Sequence, residues 1–216
     1  MTETILVINP NSTSAVTAGI DQALQPLRMS GGPVIECATL EQGPPAIETQ
    51  EHTRLVVNPL CERMNNETAD AFVIACYSDP GLSEARVRCQ KPVFGMAESG
   101  MLTALTRGGK FGVISILPAA VDRHVRYVES LGLTSRLAAD LPVGLGVLEL
   151  SDDAIAWPRL VRVGQTLRDD HSAASILLGC AGMAPYRGRL EQELGIAVID
   201  PTIAAVTMAI GAVRVN

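Results

Sequence analysis

The sequence has few aromatic residues and no long apolar run. Aromatic side chains make up 3% of the 216 residues, although 47% of the residues are hydrophobic. The core must therefore be built mainly from Ala, Val, Ile and Leu, which is typical of sheets whose strands are buried on both faces. No apolar run reaches membrane-spanning length, and the amino terminus resembles no signal peptide. We therefore expect a cytoplasmic protein with no membrane partner.

Basic clusters, phosphate-binding motifs and metal-ligand spacings are also missing. The 17 basic and 23 acidic residues are spread along the chain, which gives a net charge of -6 and predicts no nucleic-acid partner. No G-x-G-x-x-G occurs, and Gly108-Gly109-Lys110 lacks the neighbours of a phosphate-binding loop. His52, His124 and His171 are not at metal-ligand spacing. We therefore expect no nucleotide cofactor and no metal.

Lysine is scarce as well. Lys91 and Lys110 are the two lysines of the sequence, and each lies just before a predicted strand. A pyridoxal phosphate enzyme needs a lysine at its site for the Schiff base. Since ligands of parallel sheets bind at the opposite ends of the strands, pyridoxal phosphate chemistry is disfavoured.

Short apolar runs alternate with helical patterns, which predicts parallel α/β sheets. The runs also repeat in order: Val7 is echoed by Val113 after 106 residues, and Cys76 by Cys180 after 104. The matched strands are Ile5–Asn9 with Phe111–Ser115, Ala71–Cys76 with Ser175–Cys180, Pro92–Gly95 with Ala197–Asp200 and, more loosely, Pro33–Glu36 with Pro142–Leu145. Order and spacing together predict two similar halves.

The predicted fold is α/β, with two pseudosymmetric domains that each contain a four-stranded parallel sheet flanked by helices. The domains are predicted at 1–107 and 108–200, with Gly108-Gly109 at the crossing. The predicted helices are 13–27, 52–68, 97–107, 119–131, 153–170 and 202–213, with shorter helical stretches at 81–89 and 186–194.

Cys76 and Cys180 stand out because each ends a matched strand and is followed by small or turn-forming residues. Ligands of parallel α/β sheets bind beyond the carboxyl ends of the strands. If the halves pack face to face, the two thiols point into one cleft from opposite sides. A single cysteine at a strand end is more often a small buried hydrophobe, and we adopt that interpretation for Cys37, Cys61 and Cys89.

Two facing thiols suit the inversion of a stereocentre, which needs a base on one face of the carbon and an acid on the other. A thiol can fill both roles, since its reference pKa of about 8.5 is lowered when the thiol lies near the amino terminus of a helix. Charge on the neighbouring carbonyl oxygen could be stabilised by loop N–H groups, for which the candidates are Ser78, Asp79, Ala181 and Gly182. Asp79 could equally orient Ser78, tune Cys76, or serve as a turn residue.

Four stretches, in this order, resemble the hydantoin racemases and allantoin racemases of the aspartate/glutamate racemase superfamily. They are Asn9–Ser12, Gly43–Glu48, Ala75–Leu82 and Leu178–Met183. The resemblance implies an active site between two domains, no cofactor, catalytic cysteines at Cys76 and Cys180, and substrate contacts from Asn11, Ser78 and the backbone around Gly182. It also implies that the C-terminal helix, about 200–216, joins the first domain, and that subunits form a homo-oligomer.

The sequence departs from this pattern after the first strand of the second half. Where a Thr-containing turn is expected to hold the substrate, the chain reads Ser115-Ile116-Leu117-Pro118. We expect Ser115 to take over part of that binding role.

Several small-molecule functions stay open at this stage. The leading hypothesis is racemisation of a 5-substituted hydantoin or allantoin-like ring. An aspartate/glutamate-type racemase would need cations for its carboxylates, for which Arg54 and Arg86 are candidates. A maleate-type cis-trans isomerase would use one cysteine as a nucleophile. A decarboxylase needs one catalytic cysteine where this chain keeps two, and a non-catalytic small-molecule sensor is the alternative outside enzymes.

Overall fold

The structure is a computed structural model that describes residues 2–215. The chain divides into two compact units. The first comprises Met1–Ser99 and Thr202–Asn216, and the second comprises Gly100–Pro201.

The first unit is built on a four-stranded sheet in which all described strand pairs are parallel. In chain order its elements are β1 (Thr4–Asn9), α1 (Ser14–Ala23), β2 (Val34–Thr39), α2 (Gln50–Leu55), α3 (Val57–Asn65), β3 (Ala71–Ile74), α4 (Leu82–Arg88), β4 (Val93–Gly95) and α5 (Met96–Leu105). The strand order is β2-β1-β3-β4. Helix α5 contains the division between the units, which falls at Ser99.

The second unit repeats this plan. Its elements are β5 (Lys110–Ser115), α6 (Pro118–Ser130), β6 (Leu137–Pro142), α7 (Asp153–Asp169), β7 (Ala173–Leu178), α8 (Arg187–Leu194) and β8 (Ala197–Ile199), and α9 (Pro201–Val215) follows. The strand order β6-β5-β7-β8 is the counterpart of the first sheet. Short 3-10 helices lie at Gln25–Leu27, Thr134–Arg136, Leu148–Ser151 and Ala181–Tyr186.

The central strands are buried because nearly all their side chains are apolar. All four residues of β3 are buried, and so are the last five residues of β1 and of β5. In the first unit Phe72 and Ile74 of β3 pack in one cluster with Leu60 of α3 and Leu82 of α4. Burial of these apolar side chains on both faces of the sheet fixes which strands lie at the centre.

The C-terminal helix α9 is tied to the first unit at both of its ends. The Thr202 hydroxyl lies 3.7 Å from the sulfur of Met96 in α5. The Arg214 guanidinium donates to the Gly31 carbonyl oxygen over 2.8 Å. The second contact joins the carboxyl end of the chain to a residue near the amino end.

The structure confirms the predicted α/β class with two four-stranded parallel sheets flanked by helices. One predicted strand was wrong in its bounds: β6 is Leu137–Pro142, so only Pro142 of the predicted strand Pro142–Leu145 belongs to it. β6 is an edge strand with mostly half-buried residues, so it lacks the apolar run that marks the other strands. Its true register pairs Ser115 with Pro142, as Asn9 pairs with Thr39, which brings the fourth strand match to an offset of 103.

The predicted helices are present with adjusted ends. The predicted helix 52–68 is two helices, α2 and α3, and the predicted helix 13–27 ends at Ala23 before a 3-10 turn that contains Pro26. Proline removes an N–H donor and favours such an interruption. Within residues 2–215 no helix combines the length and the apolar character needed to cross a membrane.

Candidate active site

Each unit holds its candidate cysteine by the same backbone contact. The N–H of Ala75 donates to the Ile8 carbonyl over 2.9 Å, and the N–H of Gly179 donates to the Ile114 carbonyl over 2.8 Å. The residue before each cysteine is thus bonded to the penultimate residue of the neighbouring central strand. Cys76 and Cys180 therefore occupy equivalent positions in their own units, and both are half-buried.

These positions coincide with the place where such sheets bind ligands. In the first unit the chain passes from β1 to the edge strand β2 and then crosses to β3 on the other side of β1. The second unit does the same with β5, β6 and β7. The strand order therefore reverses between the two central strands, beside the cysteine. Crevices at such a reversal, beyond the carboxyl ends of the strands, are the usual ligand sites of open α/β sheets. The first unit brings Asn11, Cys76, Ser78 and Asp79 to this edge, and the second brings Ser115, Cys180, Ala181 and Gly182.

The turn after Cys76 is held by Asp79. Its N–H donates to the Cys76 carbonyl over 2.9 Å, and its backbone takes a φ of 41°, which is unusual for a residue with a side chain. The carboxylate accepts the N–H groups of Ala97 and Glu98, each over 2.9 Å. Asp79 is only 6% exposed. Its carboxylate lies at the amino end of α5, where the helix dipole stabilises a negative charge. The sequence predicts a turn role as one possibility for Asp79, but it carries no signal of this contact with a distant helix.

The contact between Asp79 and α5 requires glycine at position 95. A Cβ atom at Gly95 would lie 2.3 Å from the Asp79 carboxyl carbon. No such contact is sterically allowed, so a side chain at this position would displace the carboxylate from the helix end. The hydrogen bonds of Asp79 to α5 therefore depend on glycine at position 95.

Asn11 is oriented by its neighbours. Its side-chain oxygen accepts the Asn9 amide group and the Thr13 N–H, each over 2.9 Å. Because both donors fix the oxygen, the side-chain nitrogen Nδ2 must point the other way. In the part of the chain that the structure describes, no acceptor contacts Nδ2. Asn11 thus presents a fixed N–H donor beside β1.

The loop after Cys180 begins with the same turn and continues as a 3-10 helix. The N–H of Met183 donates to the Cys180 carbonyl over 3.0 Å. At its far end the buried Tyr186 hydroxyl donates to the Leu150 carbonyl over 2.7 Å. A Cβ atom at Gly182 would lie 3.6 Å from the Cys180 sulfur. It would also lie 3.3 Å from the Leu150 side chain, so any side chain at position 182 would pack against both Leu150 and the thiol.

Ser115 is completely buried and bonded to two side chains that sequence reasoning did not connect with it. Its hydroxyl lies 2.9 Å from Nδ1 of His124 and donates to the Asp140 carboxylate. The sequence did contain signals for both partners. Asp140 is a charged residue within an edge strand, and His124 lies on the buried face of α6. Neither signal identifies its partner, because the contacts join three separate elements.

The other three cysteines lie away from the carboxyl ends of the central strands. Cys61 belongs to the apolar core of the first unit, and burial raises the pKa of its thiol. Cys37 lies on β2, where burial and then the negative charge of Asp21 raise its pKa to about 12. Both thiols are therefore protonated near neutral pH, as expected of structural residues.

The amino ends of the first sheet carry a separate cavity of about 580 Å³, with Lys91 and Arg88 in its wall. Lys91 lies 3.3 Å from the Asp70 carboxylate, which also accepts the N–H of Thr4 at the start of β1. This cavity is therefore on the edge opposite to Cys76. No group of three or more His, Cys, Asp or Glu side chains suited to a metal lies within residues 2–215.

Comparison with known proteins identifies one family. Residues 5–209 match the family model described as Asp/Glu/Hydantoin racemase. The chain is 37% identical over 209 residues to a protein named hydantoin racemase from Pseudomonas sp. (strain NS671), covering 95% of this chain and 84% of that protein. It is 35% identical over 210 residues to the hydantoin racemase of Paenarthrobacter aurescens, covering 95% and 89%.

A solved structure has the same fold. The allantoin racemase from Klebsiella pneumoniae superposes with a TM-score of 0.92 at 31% identity, covering 99% of this chain and 89% of that one. Sequence and structure comparisons thus agree over nearly the whole chain.

We expect Asp79→Ala to destabilise the protein more than the removal of an exposed helix cap. The variant leaves two N–H groups at the buried end of α5 without their acceptor, at a cost of about 1–3 kcal/mol in the free energy of unfolding. Asp152→Ala is the matched control, because Asp152 also accepts two N–H groups but at the exposed start of α7, for about 1 kcal/mol. Urea unfolding followed by circular dichroism measures both, and an equal or larger loss in Asp152→Ala would contradict the assignment.

We expect the Cys37 thiol to resist alkylation in the folded protein. With its pKa raised from 9.0 to about 12, the thiolate fraction near pH 8 falls by roughly a thousandfold. Its rate of reaction with iodoacetamide, measured by peptide mass spectrometry, should keep increasing with pH above the ordinary thiol pKa. The same thiol in urea-unfolded protein is the control, and similar rates in both states would refute the raised pKa.

Proposed function

The chain belongs to the Asp/Glu/Hydantoin racemase family and is an isomerase of the racemase type, and we propose that it inverts the carbon next to a carbonyl group in a 5-substituted hydantoin or an allantoin-like ring. We further propose that Cys76 and Cys180 transfer the proton, one on each face of the ring, without a cofactor. The equivalent placement of the two cysteines, each after the residue that bonds the neighbouring central strand, is the observation that carries this proposal.

The chemistry needs one base and one acid at the same carbon. A thiolate removes the proton, and the C–H electron pair moves into the ring carbonyl to give an enolate. The opposite thiol then donates its proton to the other face of the carbon. The net change is inversion with no redox step, and the protonation states of the two cysteines are exchanged. The opposite enantiomer uses the cysteines in reversed roles.

Three of the expected binding groups have geometry that suits a ring with carbonyl and imide groups. The fixed Nδ2 donor of Asn11 can bond a ring carbonyl. The backbone at Ala181 and Gly182 begins a turn next to Cys180, where N–H groups can stabilise the enolate oxygen. Ser78 is half-buried directly beyond Cys76 and can contact the same substrate.

For Asp79 and Ser115 the contacts favour a different role in this proposal. The Asp79 carboxylate bonds the amino end of α5, and the Ser115 hydroxyl is buried against His124 and Asp140. Both side chains act by holding the strand ends and turns beside the cysteines. We therefore propose them as positioning residues, in place of the direct substrate contacts expected from the sequence.

The contacts of Arg86 weaken the alternative of an acidic amino-acid substrate. Its guanidinium forms a two-point ion pair with Glu98 and also donates to the Val93 carbonyl. A substrate carboxylate would have to compete with that pair. Arg54 lies exposed on α2 and offers the remaining cation among the two candidates. A hydantoin ring makes no such demand, since its polar groups require hydrogen bonds rather than two cationic partners.

Replacing either cysteine should strongly slow racemisation while the remaining cysteine still exchanges the proton on its own face of the ring. In Cys76→Ser and Cys180→Ser we expect racemisation of enantiopure hydantoins to slow by about 10²–10⁴, the usual contribution of general acid–base groups. In deuterated water each variant should exchange the ring proton of one enantiomer only, and the two variants should prefer opposite enantiomers. Optical rotation and mass spectrometry follow inversion and label uptake separately.

Cys89→Ser is the matched control, because Cys89 is half-buried and lies at the end of α4, away from the carboxyl ends of the central strands. It should keep full activity. The panel should include allantoin and aspartate beside the hydantoins, with enzyme-free solutions to correct for spontaneous racemisation. Full turnover in both cysteine variants, or loss of optical rotation without label uptake, would refute two-thiol proton transfer.

We expect Asn11→Asp to weaken substrate binding selectively. The carboxylate can still accept from Asn9 and Thr13, but the donor Nδ2 is replaced by a negatively charged oxygen. Because the substrate carbonyl then faces an acceptor, KM should rise by about 10-fold or more, which corresponds to the loss of one hydrogen bond plus a repulsion. Steady-state kinetics and thermal melting together separate binding from stability.

Ser14→Ala is the control for the Asn11 variant, since Ser14 is the exposed first residue of α1. It should change neither KM nor the melting temperature appreciably. An unchanged KM in Asn11→Asp, measured on folded protein, would remove Asn11 from the proposed binding site.

A further inference from the structure

The second unit contains a buried cluster of three polar side chains that proton transfer by the cysteines does not use. It consists of Ser115 at the end of β5, His124 on α6 and Asp140 on β6, which are 0%, 3% and 8% exposed. Nδ1 of His124 lies 2.9 Å from the Ser115 hydroxyl and 3.0 Å from the Asp140 carboxylate, and the hydroxyl donates to the same carboxylate. We name this set the Ser115 cluster.

The arrangement differs from that of a nucleophilic serine. In a Ser-His-Asp triad the serine and the carboxylate contact different nitrogens of the imidazole, so that the ring can relay a proton. Here both contact Nδ1, and the serine hydroxyl donates its hydrogen bond to the carboxylate. The serine is also completely buried. The cluster therefore fixes geometry and does not attack a substrate.

The cluster is connected to Cys180 through one glycine. A Cβ atom at Gly179 would lie 3.1 Å from Cα of Ser115 and 2.5 Å from the Ile114 carbonyl oxygen, so the two backbones are in direct contact. The Gly179 N–H donates to that carbonyl over 2.8 Å. Cys180 is the next residue. A shift of the Ser115 backbone is therefore transmitted to the cysteine with no flexible side chain in between.

In the first unit the end of the first strand is held by uncharged groups. There Asn9, the counterpart of Ser115, donates to the Thr17 hydroxyl over 3.0 Å, and Thr17 contacts Thr39 on β2 over 2.6 Å. Both networks join the end of the first strand, the first helix and the second strand of their unit. The imidazole and carboxylate are specific to the unit that contains Cys180.

We propose that His124 and Asp140 are positioning residues for Cys180: they hold the Ser115 backbone and thereby set the position of the Cys180 thiol, without an effect on Cys76. The inference rests on the proposed role of Cys180 in proton transfer. The Asp140 carboxylate contacts both Ser115 and the imidazole. The imidazole, which belongs to α6, also contacts the Ser115 hydroxyl. Loss of either contact frees the strand end against which Gly179 is packed.

The alkylation of the two cysteines in one molecule tests this proposal. In Ser115→Ala the His124–Asp140 pair is kept and only the contact to the strand end is removed. We expect the rate of Cys180 alkylation by iodoacetamide to change by about fivefold or more and its pH profile to shift, since thiol reactivity follows the local environment. The alkylation rate of Cys76 should stay constant within about twofold. For racemisation, kcat should fall by about 10–100-fold with a much smaller change in KM, as expected of a displaced catalytic group.

A second pair of variants separates positioning from general loss of structure. His124→Leu removes the donor at Nδ1 and should reproduce the Ser115→Ala effects, whereas His124→Asn, whose amide nitrogen can replace Nδ1, should restore Cys180 reactivity. Val125→Ala, at a more exposed position of the same helix, is the control. Melting temperatures show whether each variant is folded. If His124→Leu does not fold, the test relies on Ser115→Ala alone.

The outcomes distinguish this inference from the proposed function. An equal change at Cys76 and Cys180, or no change at either in folded Ser115→Ala, would overturn the positioning role. Alkylation needs no turnover, so its result stands even if the catalytic proposal fails. Conversely, full racemase activity in Cys180→Ser would refute two-thiol catalysis and leave the measured coupling between Ser115 and Cys180 intact.

Discussion

The register between the two central strands of each sheet is the constraint on which the rest of the site depends. The hydrogen bonds from Ala75 to Ile8 and from Gly179 to Ile114 fix the height at which each cysteine leaves its strand. A slip by one residue would turn the cysteine to the other face of the sheet, because side chains alternate. The buried apolar side chains of the central strands therefore decide on which face of the sheet each cysteine lies.

On this shared backbone plan the two units place different chemical groups. In the first unit the cysteine turn supplies a carboxylate, Asp79, to the start of α5, whereas in the second unit Asp200 directly precedes α9. At the strand ends the first unit uses Asn9 and hydroxyl groups, and the second uses the Ser115 cluster. Equivalent positions thus do not make the two thiols equivalent in environment.

The sequence alone was sufficient for the central strands, most helices and the position of both cysteines. Those features depend on local apolar periodicity, which burial on both faces of a sheet imposes directly on the sequence. β6 was misplaced because an edge strand with a charged Asp140 carries no such pattern. The partners of Ser115 and the contact of Asp79 with α5 could not be predicted, since each joins residues from elements whose packing only the folded structure determines.

The close approach at Gly179 has a consequence for protein engineering. Libraries that aim to change substrate preference usually vary every residue around a reactive group, and positions 178–184 would be an obvious choice. Position 179 cannot accept any side chain without moving the backbone that carries the cysteine, because its Cβ would lie 2.5 Å from a carbonyl oxygen. Position 182 is less restricted, because a Cβ atom there would lie 3.3 Å from the Leu150 side chain and 3.6 Å from the Cys180 sulfur, with no backbone atom closer than 3.8 Å.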